Sequence, residues 1–165
     1  MTYRDWLGMF AAAAPVGRHY AAQTRSLAQL TPKAISLLAA GGAQRTSAFS
    51  VIILQHFRRV ATRVPLAATA FGLRNEHCMV EIIAAWEPVP DADSSVHLQW
   101  AQTLSDTLAP HALPGGYPNI LGPDDHEQTA QAYGNNLGRL QRVKRFFNPD
   151  GVFTSATSLP LQRAA

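Results

Sequence analysis

Residues 77–86 read His-Cys-Met-Val-Glu-Ile-Ile-Ala-Ala-Trp and are followed by the turn-like sequence Glu-Pro-Val-Pro. Alternate side chains of a β-strand point to opposite faces of its sheet. Met79, Glu81 and Ile83 therefore share one face, and the apolar residues between them share the other. The stretch predicts a strand that is apolar on both faces and carries one charge, Glu81.

A second strand is predicted over residues 48–57. Its apolar residues, among them Phe49, Val51, Ile52 and Ile53, fall on both parities. This pattern is typical of a strand that is covered on both faces. A helix over the same residues is the alternative interpretation.

Three further segments carry helix signals. Thr31-Pro32 before residues 33–40, with Gly41-Gly42 after them, gives a capping hydroxyl, a first-turn proline and terminal glycines in helix order. Apolar residues recur every fourth position from Val96 to Leu108, after the cap candidate Asp93-Ser94-Ser95. Asp124 and Glu127 resemble a capping box for a helix that continues to Phe147 and ends at Asn148-Pro149-Asp150-Gly151.

The first thirty residues are less informative. Residues 3–14 are compatible with a helix, and residues 18–30 show no clean period. No repeat or long linker divides the 165 residues, so we expect a single domain over residues 1–165.

The composition excludes several classes of protein. Hydrophobic residues make up 47% and charged residues 15%, against about 25% charged in an average soluble domain. This excludes a disordered chain and a nucleic-acid-binding tail, and a surface short of charge is expected where another domain or subunit covers it. We find no secretory signal and no apolar run of membrane-spanning length, so a cytoplasmic protein that binds neither membranes nor nucleic acid is expected.

Glu81 is the main candidate for chemistry. A carboxylate between apolar neighbours is costly unless it is paired or functional, and burial would raise its pKa toward the range of a general base. The alternative is a structural salt bridge to an arginine such as Arg74. His56 either faces a site or only ends its strand.

Other polar clusters favour structural roles. Residues 124–127, Asp-Asp-His-Glu, suit a helix N-terminus better than a metal site, so no metal is expected. The basic residues of 139–145 suit a solvated or interface surface. The single cysteine, Cys78, excludes an internal disulfide and a cysteine-based zinc site, and it shares the parity of buried neighbours, which favours an inert thiol.

Three C-terminal stretches carry a family resemblance: 116–119 (GYPN), 133–140 (YGNNLGRL) and 144–153 (KRFFNPDGVF). In order and spacing they resemble the tail of FAD-linked oxidases of the berberine bridge enzyme type, in the vanillyl-alcohol oxidase superfamily. Residues 69–74 (TAFGLR), the strand that follows and Trp86 are similar to an earlier segment of the same enzymes. The resemblance runs from about residue 49 to residue 160.

The resemblance implies an α+β fold, with an antiparallel sheet covered by helices, that forms part of a substrate domain. Residues 49–110 would supply substrate-domain strands and a helix, and residues 114–160 the C-terminal segment. The implied chemistry is oxidation of a small organic substrate by hydride transfer to FAD. The resemblance does not include the family's flavin domain, so FAD binding is expected only together with a flavin-binding domain or subunit outside this sequence.

The resemblance also implies site residues. Tyr117, Asn119 and Asn136 match family positions and are expected on the cofactor side. The family's strand carboxylate corresponds to Met79 and its second tyrosine to Ile120, so these two residues and Gln55 are expected near the substrate. Glu81, two residues after Met79 on the same face, is the substitute candidate for the base. Arg58-Arg59 stands where many relatives have glycine.

A second hypothesis belongs to another class of function. The chain would then be a non-catalytic remnant or interaction module that uses an exposed apolar face to self-associate as a homodimer or to bind a partner. Composition does not separate the two hypotheses.

Overall fold

A four-stranded antiparallel sheet carries two packed helices on one face. The computed structural model describes residues 1–90, 92–123, 125–154 and 159, without the side chains of 9–13. The strands are β1 (His19–Leu27), β2 (Val51–Phe57), β3 (His77–Trp86) and β4 (Ala112–Leu113). The helices are α1 (Tyr3–Ala13), α2 (Pro32–Ala43), α3 (Ser95–Leu108), α4 (His126–Tyr133) and α5 (Leu137–Phe147).

The sheet order is β2-β3-β1-β4, so β3 lies between two strands. The predicted strand over residues 77–86 is confirmed at both ends. Val80, Ile82 and Ala84 are fully buried on the helix-covered face, as the parity of the sequence predicts. The opposite face presents Met79, Glu81 and Ile83.

Strand β2 is confirmed, but the expectation that both its faces are covered is wrong. β2 is an edge strand, and Val51 and Leu54 are 43% and 44% exposed. An edge strand has a neighbour on one side only. Of its side chains, Ile52 is the one that packs against the buried core.

Strand β1 occupies a central position that the sequence did not reveal. Its residues His-Tyr-Ala-Ala-Gln-Thr-Arg-Ser-Leu show no clean alternation because polar side chains lie on both faces. Arg25 points toward α3, where its Nε donates to the carbonyl and hydroxyl oxygens of Ser105 at 3.1 and 3.0 Å. This partly buried polar contact occupies a position where a periodicity argument would require an apolar residue.

Helices α2 and α3 form the main core with the sheet. The Thr31 hydroxyl accepts a hydrogen bond from the Ala34 amide at 3.1 Å, which confirms the predicted N-cap of α2. Trp100, Leu104 and Leu108 are buried in α3, and the indole nitrogen of Trp100 donates to the Gly41 carbonyl at 2.9 Å. This bond ties the two helices together.

The C-terminal region is not the single helix that the sequence suggested. A short 3-10 turn, Gly134–Asn136, separates α4 from α5, and Gly134 has a φ of +50° that interrupts the helix. The predicted stop after Phe147 is confirmed, because the Asn148 side chain makes two hydrogen bonds to the Phe153 backbone. Asp124, half of the proposed capping box, lies outside the described residues.

Arg59 follows β2 with a φ of +60°, the one positive value among the described residues other than glycine. This left-handed region favours glycine, and an ordinary side chain there costs about 1–2 kcal/mol. The sequence had already marked residues 58–59 as a departure from glycine.

Candidate functional site

The face of the sheet opposite α2 and α3 holds most of the predicted site residues. Strand register places Ile53 of β2 and Thr24 of β1 on either side of Glu81, and Gln55 and Ser26 on either side of Met79. Directly opposed residues of antiparallel strands point to the same face. We call this surface the open face.

Glu81 is a nearly buried carboxylate on the open face. It is 7% exposed, and its Oε1 accepts a hydrogen bond from Gln55 Nε2 at 2.7 Å. Burial raises the pKa of Glu81 above its ordinary value of 4.5, because a low-dielectric environment disfavours the charged form. No ion pair of Glu81 occurs among the described residues.

The alternative role of Glu81, as a salt-bridge partner of Arg74, is wrong. The Arg74 guanidinium donates instead to the Ala61 carbonyl at 3.3 Å and to the Thr69 hydroxyl at 2.5 Å. It also lies 5.2 Å from the centre of the Phe71 ring. Arg74 therefore organises the 61–71 segment.

Thr24 places a buried hydroxyl opposite Glu81. The residue is fully buried, and its Oγ1 has no hydrogen-bond partner among the described residues. Gln128 of α4 covers this part of the sheet, since its side chain donates to the Thr24 carbonyl at 3.1 Å. The C-terminal segment thus closes one end of the open face.

An aromatic pocket of about 170 Å³ adjoins Glu81. Gln55 and Met79 line it on the Glu81 side, and Phe57, Phe71, His77 and Tyr117 line it farther along. The ring centres of Phe57 and His77 are 4.7 Å apart in a stacked arrangement, and Phe71 meets both Phe57 and Tyr117 edge to face. Aromatic contacts of this geometry stabilise the pocket walls.

Tyr117 and Asn119 lie together at the pocket rim. The Asn119 amide donates to the Tyr117 hydroxyl oxygen at 2.9 Å, while Asn119 itself is exposed. Ile120 belongs to the next turn, where its amide donates to the Tyr117 carbonyl at 2.9 Å, and it is not a lining residue of this pocket.

Asn136 has a structural position. Its amide nitrogen lies 2.7, 3.1 and 3.4 Å from the carbonyl oxygens of Leu66, Thr69 and Ala70. These contacts fasten the segment before β3 to the turn between α4 and α5. Its predicted role on the cofactor side stays a prediction.

The sequence interpretation missed the aromatic residues and His77. His77 has the parity of Glu81, which is a usable signal, but Phe57 and Phe71 join it only through register and loop folding. His56 is exposed, and the register sets it opposite Cys78, so its side chain projects from the sheet face opposite to Glu81.

Neither a reactive cysteine nor a metal site is found among the described residues. Cys78 is 2% exposed, and burial raises the pKa of its thiol, which disfavours the reactive thiolate. Within the described part of the chain, no group of three or more His, Cys, Asp or Glu side chains is arranged to hold a metal ion.

Comparison with known proteins finds similarity to FAD-linked oxidoreductases. Residues 116–160 match the family model described as "Berberine and berberine like". The chain is 28% identical over 102 residues to the FAD-linked oxidoreductase YvdP of Bacillus subtilis, a match that covers 62% of this chain and 22% of YvdP. The chain thus spans about a fifth of the length of this relative.

Solved structures agree in fold. The wild-type BBE-like 1 protein of Physcomitrella patens has a TM-score of 0.77 at 19% identity over 89% of this chain and 31% of that one. Berberine bridge enzyme from Eschscholzia californica has a TM-score of 0.76 at 20% identity over 90% and 34%. The predicted α+β fold is confirmed, and so is the predicted resemblance to the C-terminal part of berberine-bridge-type FAD-linked oxidoreductases.

Tyr117 and Asn119 carry polar groups of a kind that can contact a flavin ring, and Asn119 is exposed. Their predicted place on the cofactor side stays a prediction. No described glycine-rich turn has the pattern of a phosphate-binding loop. In the described part of the chain, no helix is long and apolar enough to span a bilayer.

Proposed function

We propose that this chain is the substrate-domain part of an FAD-dependent oxidoreductase. The enzyme would oxidise a small organic substrate with the help of a flavin-binding domain or subunit. The observation that carries the proposal is Glu81, a nearly buried carboxylate with a raised pKa beside an aromatic pocket. The family match supports the flavin chemistry.

When bound, FAD accepts a hydride from a substrate C–H bond. The residues of this chain would manage the accompanying proton. Gln55 holds Oε1 of Glu81, and Oε2 has no hydrogen-bond partner among the described residues. The ionised carboxylate would take the proton from a substrate hydroxyl or amine, because a raised pKa strengthens a carboxylate as a base.

An exposed apolar ridge supports a partner. We define the C-terminal ridge as four side chains that are between 72% and 78% exposed: Phe146, Phe147, Val152 and Phe153. Clustered exposed apolar residues are typical of interaction surfaces. The flavin-binding domain or subunit is the partner we propose for this ridge.

The test is isolation of the chain, with an affinity tag on its natural gene, from its own host. We expect a yellow preparation with flavin absorption bands and either a second polypeptide or a larger one that contains this sequence. A colourless species that stays colourless after addition of FAD would contradict the proposal.

The C-terminal ridge also favours the second candidate, a self-associating module without flavin. A colourless homodimer in the same preparation would support it. The colour of the preparation therefore decides between the two candidate functions. The masses of the polypeptides in it show whether a partner or a second copy of the chain is bound.

A further inference from the structure

Helix α5 turns a cationic surface to solvent. Arg139, Arg142 and Arg145 are exposed, and none of them forms an ion pair with a described residue. The helix itself contains no aspartate or glutamate that could offset their charge. Exposed arginines without such partners attract anionic groups, because a guanidinium offers several fixed donors to a carboxylate or a phosphate.

The outward side of α5 is apolar as well as cationic. Residues three and four apart are neighbours on a helix surface. We define the α5 stripe as four residues with this spacing, all exposed: Arg139, Arg142, Val143 and Phe146. Val143 and Phe146 are 46% and 78% exposed, whereas Gln141, on the other side of the helix, is buried. The stripe therefore suits a surface that supplies apolar contact and negative charge together.

A groove of about 210 Å³ runs beside the α5 stripe. Its one wall is the small-residue segment 67–70, and its other wall is α5, with Arg139, Leu140 and Val143. The Asn136 amide nitrogen lies 3.1 and 3.4 Å from two carbonyl oxygens of the 67–70 segment, which joins the two walls. A cavity of roughly 150 Å³ holds one benzene ring, so the groove can take one protruding side chain.

The groove and the charges favour a protein partner over a membrane or a second copy of this chain. A membrane surface has no single side chain that could enter the groove. In a symmetric dimer the same patch meets itself, and the arginines of two chains that each carry a net charge of +3 would repel one another. An acidic protein surface with a protruding apolar side chain satisfies both features.

We propose that the flavin-binding domain or subunit meets the α5 stripe with an acidic patch and places one apolar side chain in the adjoining groove. The inference rests on the proposed function, because it takes the partner from there and adds the chemistry of the surface that makes contact. Arg139 and Arg142 would pair with carboxylates of the patch, and Phe146 would pack against its apolar part. Charge pairs of this kind set partner choice and association rate.

The test measures amide hydrogen exchange of residues 137–147 in the yellow, natively tagged preparation at two salt concentrations. Raising the salt from about 0.1 M to about 1 M shortens the Debye length from about 10 Å to about 3 Å. We expect exchange in α5 to become about fivefold faster, since two exposed ion pairs are weakened. The same readout serves a separate partner subunit and a partner domain in a larger polypeptide.

Two double variants with the same loss of charge locate the contact. Arg139→Gln with Arg142→Gln should speed exchange in α5 about fivefold at the lower salt concentration and abolish its dependence on salt. Arg45→Gln with Arg63→Gln removes two exposed arginines elsewhere and should change neither quantity. Equal effects in the two double variants would make net charge the cause and would overturn the proposal.

Vesicles of phosphatidylserine and phosphatidylcholine test an anionic membrane as the occupant. The yellow preparation should not sediment with them, because the partner covers the α5 stripe. Sedimentation that is lost in the Arg139→Gln, Arg142→Gln variant would overturn the proposal.

The outcomes separate this inference from the proposed function. A colourless preparation would refute the proposed function and the inference with it. A yellow preparation in which salt does not change exchange in α5 would refute the inference alone.

Discussion

Glu81 sits in surroundings that favour its neutral form. Because burial raises its pKa, the folded state holds this proton more tightly than the unfolded state does. The stability of the protein should therefore be highest below pH 4.5 with respect to this group, and should fall as the pH rises from there through the raised pKa. Glu81→Gln, which can still accept from Gln55, should not show this fall.

Denaturant titrations of both proteins at one pH below 4.5 and at neutral pH measure the effect. The free energy of unfolding of Glu81→Gln, relative to that of the unaltered protein, should be higher at neutral pH than at the acidic pH. Glu76→Gln provides the control, since Glu76 is exposed and should show no such difference. A constant difference between Glu81→Gln and the unaltered protein at both pH values would contradict the prediction.

Glu81 is also the residue that we expect to act as the general base. In the flavin-containing complex, Glu81→Gln should lower turnover by about 10²–10⁴-fold, the contribution of a general base. It should also remove the acidic limb of the kcat/KM profile that reports the ionisation of this carboxylate. Steady-state kinetics against pH test this, and unchanged turnover would exclude Glu81 from the reaction.

Single residues were predictable where parity alone decides their position. Glu81 and Met79 follow from the alternation of one strand, and the structure places them on the open face as expected. The aromatic contacts around His77 were not predictable, because Phe57 and Phe71 come from other segments and meet only in the folded chain. Such positions follow from three-dimensional packing.

At the scale of elements, Gly72 allows two segments to meet. Its amide donates to the Ala132 carbonyl at 3.0 Å, and a Cβ at this position would lie 2.7 Å from the Tyr133 carbonyl oxygen. Because that neighbour is backbone, it cannot rotate away. Gly72→Ala should lower the free energy of unfolding by about 1–3 kcal/mol, as overpacking does.

Gly42→Ala is the matched control for this substitution. Its Cβ would lie 3.7 Å from Ile52 Cδ1, an ordinary contact, and alanine is favoured over glycine in a helix by up to about 1 kcal/mol. Urea unfolding should therefore show opposite signs for the two variants. A Gly72→Ala protein as stable as the original would mean that α4 does not pack closely on this segment.

A helix or strand could be predicted from the sequence where its buried side chains are all apolar and fall on one face or on both. The strand over residues 77–86 was predicted at its true bounds, and the helix predicted from Val96 to Leu108 begins one residue earlier, at Ser95. β1 was missed because Arg25 bonds to α3 from the helix-covered face, which breaks the alternation. The division between α4 and α5 depends on the backbone of Gly134, which periodicity does not register.

At the scale of the whole molecule, the C-terminal ridge and the open face are the surfaces we expect a flavin-binding partner to contact. Replacing Phe146 and Phe147 by glutamine should reduce capture of flavin by the natively tagged chain at least tenfold, since large aromatic residues dominate interface energies. Leu98→Gln alters a half-exposed leucine of α3 and should leave capture unchanged.

The readout is the ratio of flavin absorbance to chain mass after affinity isolation. Equal loss in the Leu98→Gln variant would indicate general destabilisation. No loss in the double variant would place the partner elsewhere.

The central position of β1 affects the order of events during synthesis. β1 leaves the ribosome before its main partner, β3, which follows only after α2 and β2 have been made. Pairing over such a separation in sequence slows folding, and an unpaired strand edge favours aggregation while it waits. The nascent chain therefore holds β1 without its β3 partner until Cys78 has emerged, and the middle of the sheet can close fully only after Trp86.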